Sequence, residues 1–197
     1  MIYDITQPLF ECEVFPGDDS PQRHILQEIS KGDICNLTGL SMCAHNGTHV
    51  DAPFHFISEG KTIDRISLEK FIGKAYVAEH NGDVTATDAK NILEKAEKSC
   101  IGSEKRILIK GNATVTLEAA EKFAEEGIDL IGNESQTVGP PDAPMTVHLV
   151  LLKAEVVLLE GIRLAHVPEG SYFLNCAPLN LSGADGAPCR AVLIDED

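Results

Sequence analysis

Short apolar runs separated by polar or glycine-bearing stretches recur along the whole chain. Their β-branched and aromatic content predicts strands over Ile2–Ile5, Leu37–Cys43, Tyr76–Glu79, Arg106–Lys110, Leu130–Ile131, Val156–Leu159, Tyr172–Ala177 and Ala191–Ile194. Two segments switch to helical spacing. Asp88–Lys98 follows a Thr87 or Asp88 cap and carries the apolar stripe Ile92, Leu93 and Ala96, while Leu117–Glu126 follows Thr116 and stops at Gly127. A third helix is expected over Thr146–Lys153 and a short one over Leu68–Ile72. The mixture is α/β, and periodicity alone fits either a barrel-like mixed sheet or a doubly wound one. No repeat, low-complexity tract or linker divides the chain, so residues 1–197 read as one domain.

Composition narrows the function classes. A hydrophobic content of 43% with 24% charged residues is that of a globular protein with a real core. Sixteen Lys+Arg against 31 Asp+Glu give a formal charge of −15, which argues against nucleic acid and against anionic membrane surfaces as partners. No apolar stretch reaches the ~18–20 residues that span a bilayer, and the start Met1-Ile2-Tyr3-Asp4 lacks the basic and apolar regions of a signal peptide. The six cysteines show no paired metal-binding spacing and are expected as reduced, mostly buried thiols, in a cytoplasmic protein.

The densest chemistry lies at His45-Asn46-Gly47-Thr48-His49-Val50-Asp51-Ala52-Pro53-Phe54-His55. Neutral imidazoles and a carboxylate are the ligands borderline divalent metals prefer; they suit zinc, and manganese and iron accept them too. Val, Thr, Phe and Pro favour an extended run from Thr48 to His55, which would put His49, Asp51, Pro53 and His55 on one face. A bend at Gly47 would fold His45 back to the same centre. His55, one pleat further on, suits a proton carrier better than an obligatory ligand. Each histidine alone reads as an ordinary hydrogen-bonded side chain, and Asp51-Ala52-Pro53 alone reads as a turn; their density favours a metal site. Nucleophile-elbow and phosphate-loop motifs are absent.

This run resembles the motif of the cyclase family of metal-dependent hydrolases, which includes bacterial kynurenine formamidases and isatin hydrolases. The likeness extends over Tyr3–Ile5 through Phe15-Pro16-Gly17-Asp18, His148–Leu152, Glu160-Gly161-Ile162, Ala177–Leu181 and Gly183–Val192. The resemblance implies a barrel-like mixed central sheet with peripheral helices, the swivelling β/β/α fold. It implies a first metal held by His45, His49 and Asp51, a second held by Asp51, His148 and Glu160, and His55 as the catalytic acid/base. Without it, His148 reads as a core-edge helix histidine and Glu160 as a solvated carboxylate at a strand end. It also implies a homodimer.

The expected reaction is hydrolysis of an amide carbon–nitrogen bond in a small-molecule amide or lactam, with two zinc ions per subunit (manganese being the alternative). N-formylkynurenine is the leading substrate. Formamidases of the family carry Trp at the position of Phe15, where an aromatic would pack on an aryl ring. Their Asp-x-x-Ser-x-Asp pattern reads here Glu134-Ser135-Gln136-Thr137-Val138-Gly139, without the final Asp. Phe10–Pro21 reads as a lid over the site. A metal-assisted cyclase or dehydratase, and a metal-binding protein without turnover, are the other readings, the last disfavoured by the presence of His55.

Overall fold

The structure, a computed structural model, describes residues 1–195. Its elements in chain order are β1 (Ile2–Asp4), β2 (Gln22–Gln27), β3 (Leu37–Ser41), β4 (His49–Asp51), β5 (Ile72–Glu79), β6 (Gly82–Val84), α1 (Ala86–Ser99), β7 (Arg106–Lys110), β8 (Ala113–Val115), α2 (Leu117–Glu125), β9 (Leu130–Asn133), α3 (Met145–Lys153), β10 (Val157–Glu160), β11 (Gly170–Asn175), β12 (Gly186–Pro188) and β13 (Val192–Ile194).

Nine strands form one mixed sheet in the order β1-β13-β11-β5-β7-β9-β10-β4-β12. The central run β5-β7-β9-β10 is parallel, each connection carrying one helix, and the flanking pairs are antiparallel. Parallel strands covered on both faces read as continuous apolar runs, which is why Arg106–Lys110 and Val156–Leu159 lack alternation. Their alternate residues divide between two cores. Val77, Leu108, Leu130, Val157 and Leu159 join Ile5, Val50, Ala187 and Leu193 inside the sheet's curl, so strands from both ends of the sheet meet across it. Tyr76, Ala78, Ile107, Ile109, Ile131 and Leu158 pack outward against Ile92, Ala96, Ala120, Phe123 and Leu151 of the three helices. The expected barrel-like mixed sheet with peripheral helices is therefore the architecture observed.

Several boundaries differ from expectation. The cap of α1 is Thr85, not Thr87 or Asp88: its side chain accepts from Asp88 N–H while the Asp88 side chain accepts from Thr85 N–H, a reciprocal capping box. The short helix at Leu68 is only a 3-10 turn to Lys70, because Ile72 already belongs to β5. Strands β2, β6, β8 and β12 were not anticipated. β2 and β3 form a separate two-stranded ribbon with Ile25, Leu26 and Leu40 exposed, and β6 pairs only with β8. Only Cys176 and Cys189 are buried; Cys12, Cys43 and Cys100 are half-buried, Cys35 is exposed, and all six are free.

Candidate metal centre

The extended run ends sooner than its residue types suggest. His49–Asp51 is strand, but Pro53–His55 is a 3-10 turn closed by His55 N–H donating to Ala52 O at 2.9 Å. Proline at the first position of that turn supplies the φ it needs. His55 thus reaches the site by a turn and not by the next pleat. Gly47 adopts φ +64°, and this bend carries His45 back over the strand as expected.

The site lies on the outer, helix-bearing face of the sheet. In the β10–β4 ladder Glu160 pairs with His49 and Leu158 with Asp51, so His49, Asp51 and Glu160 project together. α3 packs on β10 and places the buried His148 above them. The structure therefore brings His45, His49, Asp51, His55, His148 and Glu160 into one cluster.

Hydrogen bonds define which ring nitrogens are available. His49 Nδ1 lies 3.0 Å from Gly47 O and His148 Nδ1 lies 2.9 Å from Pro144 O. A carbonyl only accepts, so both Nδ1 atoms carry a proton, and in the neutral rings the lone pair lies on Nε2. Those Nε2 atoms face carboxylates: His49 Nε2 is 3.4 Å from Asp51 Oδ1 and 3.6 Å from Glu160 Oε2, and His148 Nε2 is 3.2 Å from Glu160 Oε1 and 3.6 Å from Asp51 Oδ2. Asp51 Oδ2 is buried without a hydrogen-bond partner. Lone pairs turned toward buried carboxylate oxygens call for a cation between them, a proton or a metal. The donor set, all N and O with fixed tautomers, fits a divalent metal. His49, Asp51 and Glu160 form one group with ligand atoms within 4.8 Å of one another, and His45, Asp51 and His55 form another. Asp51 is common to both, though the partition differs from that implied by resemblance.

Electrostatics carry the same message. Burial opposes charge on His45, yet its bonds to Asp51 and Asp185 prevail and raise its pKa to about 10. Burial likewise opposes charge on His148, but Glu160 and Asp51 raise it to about 9. Asp51, though buried, is held well below the carboxylate range by His45 and His49. His55 differs: burial dominates and lowers it below its ordinary value.

One residue was not anticipated in this role. Asp185, just before β12, has Oδ2 at 2.8 Å from His45 Nε2 and 3.3 Å from His55 Nδ1. The rings of His45 and His55 stack with centroids 4.0 Å apart. Gly186 makes room for this, since a Cβ there would stand 2.7 Å from His45 Cε1 and 2.8 Å from Val50 O. The pair Asp185-Gly186 inside Gly183–Val192 was the available signal.

A cavity of about 240 Å³ opens over the cluster, with Phe15 and Phe56 on its walls and Asp18, an exposed residue, at its edge. A slightly larger cavity of about 310 Å³, between α1 and α2, is lined largely by Lys and Glu side chains and holds none of these groups. The acid of Glu134-x-x-Thr137 is spent on structure, Glu134 accepting from Gly111 N–H and Leu164 N–H, while Thr137 lines the cavity over the cluster.

The Cyclase family matches residues 3–140 of the chain. A kynurenine formamidase of Bacillus anthracis is 32% identical over 96% of this chain and 95% of its own length. A solved structure described as a potential metal-dependent hydrolase with cyclase activity superposes with a TM-score of 0.84 at 28% identity, covering 100% of this chain and 98% of the other. Isatin hydrolase A from Labrenzia aggregata, bound to benzyl benzoate, shares the fold with a TM-score of 0.82 at 22% identity, over 100% and 94% of the two chains.

Proposed function

This chain belongs to the cyclase family, and from that premise we propose that it is a metal-dependent amidohydrolase acting on an aryl formamide, N-formylkynurenine foremost, or a related small amide or lactam. The observation that carries the reading is the pair of Nε2 atoms, on His49 and His148, aimed at the buried carboxylates of Asp51 and Glu160. His45, His49 and Asp51 are read as ligands of one ion, and Asp51, His148 and Glu160 of a second, with zinc favoured and manganese the alternative. Divalent metal supplies Lewis acidity, which polarises a carbonyl and brings the pKa of water to about 7.

The chain's own groups account for the proton traffic. Asp185 faces His55 Nδ1, which holds the proton there and leaves Nε2 as the base. Burial keeps the His55 ring neutral near neutrality, ready to take a proton from the attacking water. The protonated ring then returns that proton to the departing amine nitrogen, without which the carbon–nitrogen bond breaks only to an amide anion. Phe15 and Phe56 offer apolar faces for an aryl ring and thin the water around it. The volume, below the ~300–1,000 Å³ usual for drug-sized ligands, suits one ring with a short chain.

The protein is further read as a homodimer in the cytoplasm. The exposed apolar side chains Ile25, Leu26 and Leu40 on the β2–β3 ribbon support self-association, and six free cysteines support a reducing compartment. No helix among the described residues is long and apolar enough to cross a membrane. Protein loaded with zinc or manganese is assayed against formanilide, N-formylkynurenine, isatin and a cyclic imide. Turnover of the formamides supports the assignment, and a fully loaded protein inert toward all four refutes it.

A further inference from the structure

Resting on the amidohydrolase reading, we infer that Asp18 selects substrates in which the ring bearing the amide also carries an ammonium group. Among the described residues, Asp18 is the one carboxylate lining the cavity that stands outside the histidine–carboxylate cluster. Among the described residues its side chain has no hydrogen bond and no ion pair, and no Lys or Arg lines the cavity. An anionic substituent at the cavity edge meets Asp18 and finds no Lys or Arg side chain beside it. A cationic substituent meets an unpaired carboxylate.

The carboxylate is presented by a built turn. Asp18 N–H donates to Phe15 O at 3.1 Å. Asn46, fully buried within the histidine motif, accepts from Cys43 N–H at 2.9 Å and donates to Asp19 O at 3.2 Å. The same turn therefore sets Phe15 and Asp18 together and ties both to the strand that carries His49 and Asp51. Phe56 lines the same cavity, its ring 4.4 Å from that of His55 and 5.0 Å from that of His148. An aryl ring lying along Phe15 or Phe56 with its amide toward His55 directs a short substituent to the cavity edge, where Asp18 stands. A zwitterionic amino-acid side chain retains this contact through its ammonium, leaving its carboxylate to solvent.

The test compares three formanilides carrying aminomethyl, hydroxymethyl and carboxymethyl substituents, with metal-loaded wild-type protein and the Asp18→Asn and Asp18→Lys variants. The expected order of kcat/KM in the wild type is cationic over neutral over anionic, with about tenfold between the first and last, the scale of a partly exposed charge pair. Asp18→Asn should bring the cationic-to-anionic ratio to within about twofold of unity, and Asp18→Lys should invert it. A wild-type protein indifferent to substituent charge, or an Asp18→Asn protein that slows all three equally, overturns the inference while leaving amide hydrolysis intact. Titration calorimetry with the corresponding anilines separates the two readings. If no formanilide turns over but the aminomethyl aniline still binds tighter in an Asp18-dependent way, the recognition stands and the hydrolysis assignment falls; equal binding of all three anilines overturns the recognition.

Discussion

Glu160 stands directly opposite His49 in the antiparallel ladder between β10 and β4. Side chains opposed in such a ladder project to the same face, and Asp51, two residues along, joins them there. A strand pairing thus does the work of a motif, placing a carboxylate from the second half of the chain among histidines from the first.

The ladder makes Glu160 and His148 the natural targets for metal loss. Glu160→Gln and His148→Ala are each expected to lower bound metal by about half, measured by elemental analysis after dialysis. Full metal content in either variant removes that residue from the centre.

His55→Ala is expected to retain metal and lose activity by roughly 10²–10⁴-fold, the usual contribution of a positioned acid–base group. Metal content and kcat are read on the same preparation. Loss of half the metal would instead make His55 a ligand, as its grouping with His45 and Asp51 allows.

In the proposed mechanism Asp185 orients rather than reacts, so Asp185→Asn should cost kcat roughly 10–100-fold, as for other residues that hold a metal ligand or base in position. The pH profile should shift as well, because the amide no longer fixes the proton on His55 Nδ1. An unchanged pH profile with slower turnover would reduce Asp185 to a packing role.

Protons and metal compete for the same lone pairs. With pKa values raised to about 10 and about 9, His45 and His148 are protonated at pH 7 in the metal-free protein. Loading should therefore release protons, and affinity should rise with pH up to about 9–10. A histidine whose folded pKa lies above its unfolded value stabilises the fold fully below the unfolded value. That contribution fades as pH rises through the folded one. Metal-free protein should accordingly lose melting temperature between pH 6.5 and about 10, whereas metal-loaded protein should hold it. Calorimetry in buffers of different ionisation enthalpy counts the protons, and metal affinity independent of pH from 6 to 8 would contradict the scheme.

Gly186→Ala would push a methyl group into His45 and the Val50 carbonyl. The expected result is weaker metal binding with a smaller loss of stability, seen as a lower metal affinity by competition with a chelator. Unaltered affinity would mean that His45 shifts freely and is not held by this contact.

What the sequence conveyed, and what it withheld, follows from where the determining interactions lie. Helices α1 and α2 are visible because their caps and apolar stripes are local, although the cap of α1, read at Thr87 or Asp88, lies at Thr85, where the reciprocal bonds with Asp88 form. The central parallel strands are visible as apolar runs. β12 is not, because Gly186-Ala187-Pro188 is strand only through its pairing with β4. β2 is exposed along its whole length, so it has no apolar face to reveal it. His45, His49 and Asp51 stand out by density, whereas His148 and Glu160 look ordinary until a ladder and a helix bring them together, and resemblance alone pointed to them. Asp185 is silent for the same reason as β12: its partners, His45 and His55, are remote in the chain.

The position of β4 between β10 and β12 also bears on synthesis. Each neighbour of the motif strand is made long after it, β10 more than 100 residues later and β12 later still. Long-range pairings of this kind form late, after the entropy of closing large loops is met. A nascent chain emerging from the ribosome would display His45, His49 and Asp51 early but lack the distant partners His148, Glu160 and Asp185. Assembly of the full cluster is thereby deferred until His148, Glu160 and Asp185 have been made, and a chain stopped before residue 148 would hold the motif without these three partners.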